Sequence, residues 1–503
     1  MKSTDSVVAL ALVLAPFALA KEKCKPYVSS DALQESINLD DLLAGSQKLQ
    51  DIADASDGNR AFGSAGHNLT IDYIYDTLNA LGYYDVHKQP FVELFYSAEA
   101  SLVVDGVEYE PGSMTYSPGG TFSAPLVLVS NLGCDVTDFP PEVEGSVALI
   151  SRGTCSFAAK ATNAKSAGAV AAVVYNNQEG KVSGTLGAVS DDYAPVVGIT
   201  QEQGITLIAA LESGEVIAEF GVDAVLQNRT TFNVIAETKT GDKNNVLMLG
   251  AHTDSVAAGP GINDDGSGTI GILSVATALS KFTIKNAVRF GFWSAEEYGK
   301  LGSYYYIKQL NTSATAETEL AKIRAYLNFD MIASPNFIYG IYDGDGNAFN
   351  SSGPNGSGDI EKTFEDYFKT KNTPSIAYAF TGRSDYAGFI ENGIPSGGIS
   401  SGSDGIKTAE QAALFGGEVG VSYDPNYHQA GDTIDNLAQD AYLTISKGIA
   451  DAVAKYALSF ATLPPVNIVQ RRWAADRAKA VKRTVTSHAH SNLGPCAHNH
   501  DEL

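Results

Sequence analysis

From about residue 230 to residue 462 the sequence alternates between two apolar periods, and no other feature constrains the fold as tightly. Short apolar runs of β type occur at "NVLMLGAH", "NAVRFGFWS", "RAYLNFDM" and "PSGGIS". Between and after them lie stretches with helical spacing: "GTIGILSVATALSKF", "YGKLGSYYYIKQL", "GDIEKTFEDYFKTK" and "DNLAQDAYLTISKGIADAVAKYALSFAT". Strands that alternate with helices in this way build an α/β sheet with helices packed on it. In such a sheet, reactive side chains collect outside the carboxyl ends of the strands.

Those ends carry a chemically coherent set. The first strand ends in His252 and, two residues on, Asp254; the second in Glu296-Glu297; the third in Asp330. Asp264 sits in the Gly-rich turn "GPGINDDGSGT", twelve residues after His252, and His428 lies in "NYHQAGDTIDN" ahead of the last long helix. Taken singly, each has an ordinary reading: Asn, Asp and Gly suit turns, and an aspartate after a strand can cap a helix. Of eight histidines, however, only His252 and His428 fall in the α/β block. Two histidines with several carboxylates match a two-metal hydrolytic site, which needs N and O ligands, a shared carboxylate and open positions. Zinc suits imidazole mixed with carboxylate, and cobalt or manganese would accept the same ligands. Two adjacent glutamates repel unless a cation or a proton neutralises one. With Glu297 as a ligand, Glu296 remains for general-base work. Successive strand residues point to opposite faces, so the chain must turn just after Ala295 for both to serve one site.

The rest of the chain has a different texture. Lys2, the apolar run Val7–Ala15 and Ala18-Leu19-Ala20 read as a secretory signal peptide, residues 1–20. No later stretch approaches a membrane span, and the mature chain is expected to be soluble. Five N-x-[ST] sequons, at Asn68, Asn228, Asn311, Asn350 and Asn355, agree with secretion. So does an even set of four cysteines without zinc-site spacing. Three pairings are open, of which Cys134–Cys155 as a local staple and Cys24–Cys496 across the termini are favoured. Residues 31–95 read as helices followed by strand-like pieces. From about 110 to 225, short Val/Ala/Gly-rich strands surround one helix, "FAAKATNAKSAG", with "EPGSMTYSPGGT" and "QNRTTF" as flanking boundaries. This smaller α/β module contains no histidine. The basic run "RRWAADRAKAVKR" near the C-terminus reads as solvated surface. With 34 Lys+Arg against 58 Asp+Glu, the net charge of −24 argues against nucleic acid and anionic membranes as partners.

The blocks "GAHTDSVAAGPGINDDGSGT", "FWSAEEYGKLGS", "YLNFDM" and "YHQAGDTIDN" resemble, in the same order, the metal-site blocks of secreted di-zinc aminopeptidases of the leucine aminopeptidase and aminopeptidase Y group. The similarity covers most of residues 35–460, and the module at 110–225 resembles an inserted protease-associated (PA) domain. This implies a mixed zinc-exopeptidase sheet flanked by helices: peptidase domain at 21–109 and 226–462, PA domain at 110–225, tail at 463–503. By resemblance, two zinc ions bind, one held by His252 and Asp330, the other by Glu297 and His428, with Asp264 shared. Asp254 is implied to orient His252 through its second ring nitrogen. Glu296 is implied to take a proton from the attacking water and deliver it to the leaving amine, and Tyr427 to stabilise the oxyanion. Arg383 and Ser384, in "FTGRSDYAGF", fall in a loop close to the substrate. The implied substrates are peptide N-termini with Leu or another large apolar residue, acted on by a monomer. Relatives that cleave C-terminal glutamate or cyclise N-terminal glutamine, and a non-catalytic receptor on the same fold, are the competing readings. The C-terminal His500-Asp501-Glu502-Leu503 has the form of an ER-retrieval signal. The resemblance implies secretion instead, with a Cys24–Cys496 staple able to hide that signal; the ER lumen and the vacuole are the alternatives.

Overall fold

The computed structural model describes residues 25–466, except 183, 313 and 314. Cys24, Cys496, the signal peptide and the C-terminal tetrapeptide lie outside the described residues. Four parallel strands form the centre, in the order Ser396–Ser400, Ile323–Asn328, Asp242–His252 and Asn286–Trp293. Antiparallel strands extend both sides, Gly340–Tyr342 beyond the first and Ile217–Thr238 beyond the last. Alternation along the strands divides the core in two. Leu247, Leu249 and Ala251 join a core with helices Leu39–Asp54, Gly268–Leu279 and Gln439–Leu458. Met248, between them, joins a second core on the other face, with Tyr306 and Ile307 of helix Leu301–Thr312. Helix Gly268–Leu279 is buried on nearly every side, which accounts for its uninterrupted apolar sequence.

The smaller module has its own parallel strands, Gly120–Leu128, Val147–Ser151, Ala171–Tyr175 and Val196–Ile199. Helices Phe157–Ser166 and Gln201–Ser213 pack over two separate apolar cores on it. Cys134 and Cys155 are disulfide-bonded within this module. All five sequon asparagines are exposed.

Two long strands join the module to the main sheet. Tyr84–Val104 and Ile217–Thr238 pair antiparallel without a break, from Tyr84 opposite Thr238 to Val104 opposite Ala218. On its other edge, Ile217–Thr238 pairs with Gly120–Leu128 through residues 217–222 and with Asn286–Trp293 through residues 234–237. The boundary expected at "QNRTTF" falls within this strand: residues 227–232 run as continuous strand from the module toward the main sheet, not as a loop. Polar side chains gave that stretch the appearance of a loop, but Thr231 and the neighbouring Asn233 are fully buried against a polar turn.

Candidate metal centre

His252, Glu296, Glu297 and Asp330 sit at or just beyond the carboxyl ends of adjacent strands, and the two loops that carry Asp264 and His428 fold over them. After Trp293 the backbone reverses at Ala295, where φ is +58°, as the adjacent glutamates require. The arrangement centres on Asp264. Its Oδ1 lies 3.1 Å from His252 Nε2 and its Oδ2 lies 3.2 Å from His428 Nε2. Asp330 Oδ1 approaches the same His252 nitrogen at 3.7 Å, and Glu297 Oε2 approaches the His428 nitrogen at 2.9 Å. Two sets of N and O donors thus share one carboxylate.

A surrounding shell holds these groups in place. Asp265, beside the shared aspartate, accepts from the backbone N–H groups of His252, Gly268 and Met331 and so binds two strand ends to one helix start. Asp432 accepts from the N–H groups of Asn263 and Asp264, fastening the Gly-rich turn to the His428 loop. Arg60 is fully buried and spends its guanidinium on the carbonyls of Thr253, Pro260 and Gly261. Nothing in the local sequence distinguishes Arg60, because its partners are all main-chain atoms about 200 residues away. Asp432 stands inside the "YHQAGDTIDN" block and was legible only as a member of it.

The expectation for Asp254 needs correction. His252 Nδ1 lies 3.1 Å from the Asp254 main-chain carbonyl, whereas the carboxylate is 3.8 Å away. That carboxylate instead accepts from the N–H groups of Glu296 and Glu297, at 3.1 and 3.4 Å, and so shapes the glutamate turn. Ser384 donates to Asp330 Oδ2 and accepts from Asn328, which places it in contact with an expected ligand. Arg383 donates to Asp404 Oδ1 at 3.0 Å and to the Tyr427 hydroxyl at 3.3 Å, and the Tyr427 ring stacks on His428. Asp264, Glu296, Glu297 and Asp330 line a cleft whose lining also includes Tyr342 and Tyr378.

The electrostatics are those of a cation site. Asp254, Asp264, Asp265, Glu296, Glu297 and Asp385 are each at most 5% exposed. Burial pushes Asp254 up to about 7 and Asp385 up to about 6, and lifts Glu296 well above the usual carboxylate range. Against the same desolvation, the two imidazoles beside it, His252 and His428, hold Asp264 well below that range. Desolvation is also overcome at the histidines: Asp264 and Asp330 raise His252, while Glu297 and Asp264 raise His428. His428 Nε2 is buried and, at these distances, meets neither carboxylate with hydrogen-bond geometry. A buried imidazole nitrogen set between carboxylate oxygens fits a shared cation, which would also neutralise the clustered acids. His67, behind the site, is pushed down to about 3 by burial, with Arg60 and His252 adding to the effect, and is neutral.

Residues 233–453 match the sequence model of Peptidase family M28, and residues 122–207 match that of the PA domain. Probable leucine aminopeptidase 2 of Aspergillus fumigatus is 52% identical over 468 residues, covering 92% of each chain. Leucine aminopeptidase 2 of Arthroderma otae is 50% identical over 477 residues, covering 94% of this chain and 93% of that one. Among solved structures, an aminopeptidase from Aneurinibacillus sp. strain AM-1 superposes with a TM-score of 0.65 at 28% identity, over 88% of this chain and 99% of its own. BSAP, a zinc aminopeptidase from Bacillus subtilis, gives a TM-score of 0.62 at 25% identity, over 86% and 98%.

Proposed function

The chain belongs to peptidase family M28, and from that premise we propose that it is a two-zinc aminopeptidase that releases N-terminal residues, preferably Leu and other large apolar ones, from peptides. The observation that carries the reading is the Asp264 carboxylate, with one oxygen turned to each of two imidazoles. His252, Asp330 and Asp264 would hold one ion, and Glu297, His428 and Asp264 the other. Bound zinc supplies Lewis acidity, polarising the scissile carbonyl and making water acidic enough to react near neutral pH.

The chain's own groups do the remaining work. Glu296, buried at the cleft wall, takes the proton of the attacking water and returns it to the departing amine. The Tyr427 hydroxyl, held by Arg383, donates to the developing oxyanion. Glu296 and Asp330 present acidic oxygens to the substrate ammonium, and Met331, Tyr342 and Tyr378 give its side chain an apolar wall. A C-terminal glutamate would bring two carboxylates, yet Arg383 is the lone cation among the described lining residues and is already engaged by Asp404.

Release of p-nitroaniline from Leu-p-nitroanilide tests the reading. Chelation is expected to abolish release, and zinc to restore it at two ions per chain; turnover that persists after the metal is stripped sinks the proposal. We place the protein outside the cell, as a monomer glycosylated at exposed sequons. Among the described residues no helix is long and apolar enough to cross a membrane. Immunoblots should then find the wild-type chain in culture medium, and finding it only in cell extract, while a chain without the last four residues is released, would assign it to the ER.

A further inference from the structure

Strand Ile217–Thr238 belongs to both parts of the molecule. Phe220 and Val222 lie in a core of the inserted module, while Val234 and Ala236 lie in the main core. Between these ends, alternate residues Arg229, Thr231 and Asn233 share one face; Thr231 and Asn233 bond the segments around the glutamate turn directly, and Arg229 reaches it through the Phe95 ring. Asn233 accepts from the N–H of Ser294 at 3.1 Å and donates to the carbonyl of Gly302 at 2.9 Å. The approach is so close that a Cβ on Gly302 would stand 2.3 Å from Asn233 Oδ1. Thr231 shares a 2.6 Å hydrogen bond with the Ser294 hydroxyl and lies 3.3 Å from His67 Nδ1.

Arg229 completes the row. Its Nη1 donates to the carbonyl of Phe62 at 3.2 Å, and its guanidinium lies 3.3 Å from the centre of the Phe95 ring. Phe95 packs with Phe62 and Tyr298 as an aromatic triad whose centroids are 4.7–5.4 Å apart. Tyr298 follows Glu297 directly, and Ala295, just before Glu296, is buried in the same cluster. Gly63 lets the arginine pass: its φ is +68°, and a Cβ there would stand 2.7 Å from Arg229 Cβ and Cδ. The glutamate turn is thus held on one side by the Asp254 carboxylate and on the other by a strand rooted in the module.

We infer that Arg229 is a positioning residue for Glu296: with Thr231, it fixes the 294–298 turn so that the base is aimed into the cleft, and it makes the inserted module a support of the catalytic geometry. This rests on the aminopeptidase reading only for its kinetic readout. A displacement of about 1 Å at a catalytic group costs about 100-fold in rate. Arg229→Met, which keeps the length of the side chain and removes its donors and charge, should therefore lower kcat by about 10- to 100-fold. KM should stay within about twofold and zinc content should be unchanged. Arg229→Lys, which keeps a cation over Phe95, should recover much of the loss.

Amide hydrogen exchange supplies a readout independent of substrate. In Arg229→Met, the peptide covering residues 294–300 should exchange faster, while the central strand Asp242–His252 keeps its protection. If wild type fails to cleave Leu-p-nitroanilide, the aminopeptidase reading falls and exchange alone judges the positioning role. Unchanged kcat with unchanged exchange overturns the inference, as does a loss of protection spread over the whole chain. Should Arg229→Met fail to fold, Thr231→Val, which replaces the hydroxyl by a methyl of similar size, carries the same kinetic and exchange criteria.

Discussion

Replacing Glu296 by Gln is expected to lower kcat by about 10²- to 10⁴-fold, the range supplied by a positioned general base, while both zinc ions stay bound. The change is isosteric and removes the proposed acceptor of the water's proton. The turn itself should persist, because the Asp254 carboxylate grips the main-chain N–H groups of residues 296 and 297 and does not depend on the side chain at 296. Its neighbour provides the contrast. Glu297 Oε2 lies 2.9 Å from His428 Nε2, so Glu297→Gln should lose zinc along with activity. Steady-state kinetics with metal analysis of the same samples separates the two, and an active Glu296→Gln enzyme would show that the division of labour is wrong.

The second large effect is expected at Asp264. Its two oxygens each face one imidazole, and Asp264→Asn replaces the shared anion by a neutral amide that turns an N–H₂ group toward one of them. Both sets of donors lose a ligand together. Zinc content should fall below two per chain, and activity by at least about 10³-fold, because the Lewis acid and the supply of reactive water are lost at once. Folding should suffer less, since Asp432 still accepts from the main-chain N–H at 264. Asp265→Asn should behave in the opposite way. That carboxylate accepts three main-chain N–H groups, and an amide can present only one oxygen to them. Each buried donor left unsatisfied costs about 1–3 kcal/mol, so the thermal midpoint should drop markedly. The two neighbouring aspartates are thus distinguished by metal content on one side and stability on the other. An Asp264→Asn chain that keeps two ions would remove the shared carboxylate from the proposal.

The parts of this molecule legible from sequence are those in which a local pattern has a local cause. The period change between 230 and 462 reported a buried parallel sheet, because strands covered on both faces must be apolar throughout. The ligand candidates were legible because strand ends are where such a sheet exposes reactive groups, and the spacing of His252 from Asp264 spans one strand-to-helix turn. Other features depend on partners distant in the chain. Arg60 is anchored by carbonyls far along the chain, and no motif encodes a main-chain partner. The Asp254 carboxylate was assigned to the histidine beside it in sequence, whereas its strongest contacts are with a turn some 40 residues on. "QNRTTF" looks like a loop in sequence because polarity in a single sequence cannot distinguish a solvated loop from a largely exposed strand that runs between two cores.

That same pairing of Tyr84–Val104 with Ile217–Thr238 sets an order in time. The first strand leaves the ribosome well before its partner, and every residue between the two belongs to the inserted module or its edges. Until the partner arrives, the earlier strand has a long unpaired edge, the kind of surface that invites wrong pairing between chains. Once residues 217–222 are made and pair with strand Gly120–Leu128, a folded module would hold residues 104 and 218 together, replacing a loop of more than a hundred free residues by a rigid unit. Loop closure alone would then favour pairing of the ribbon from the module end toward the site once both strands exist.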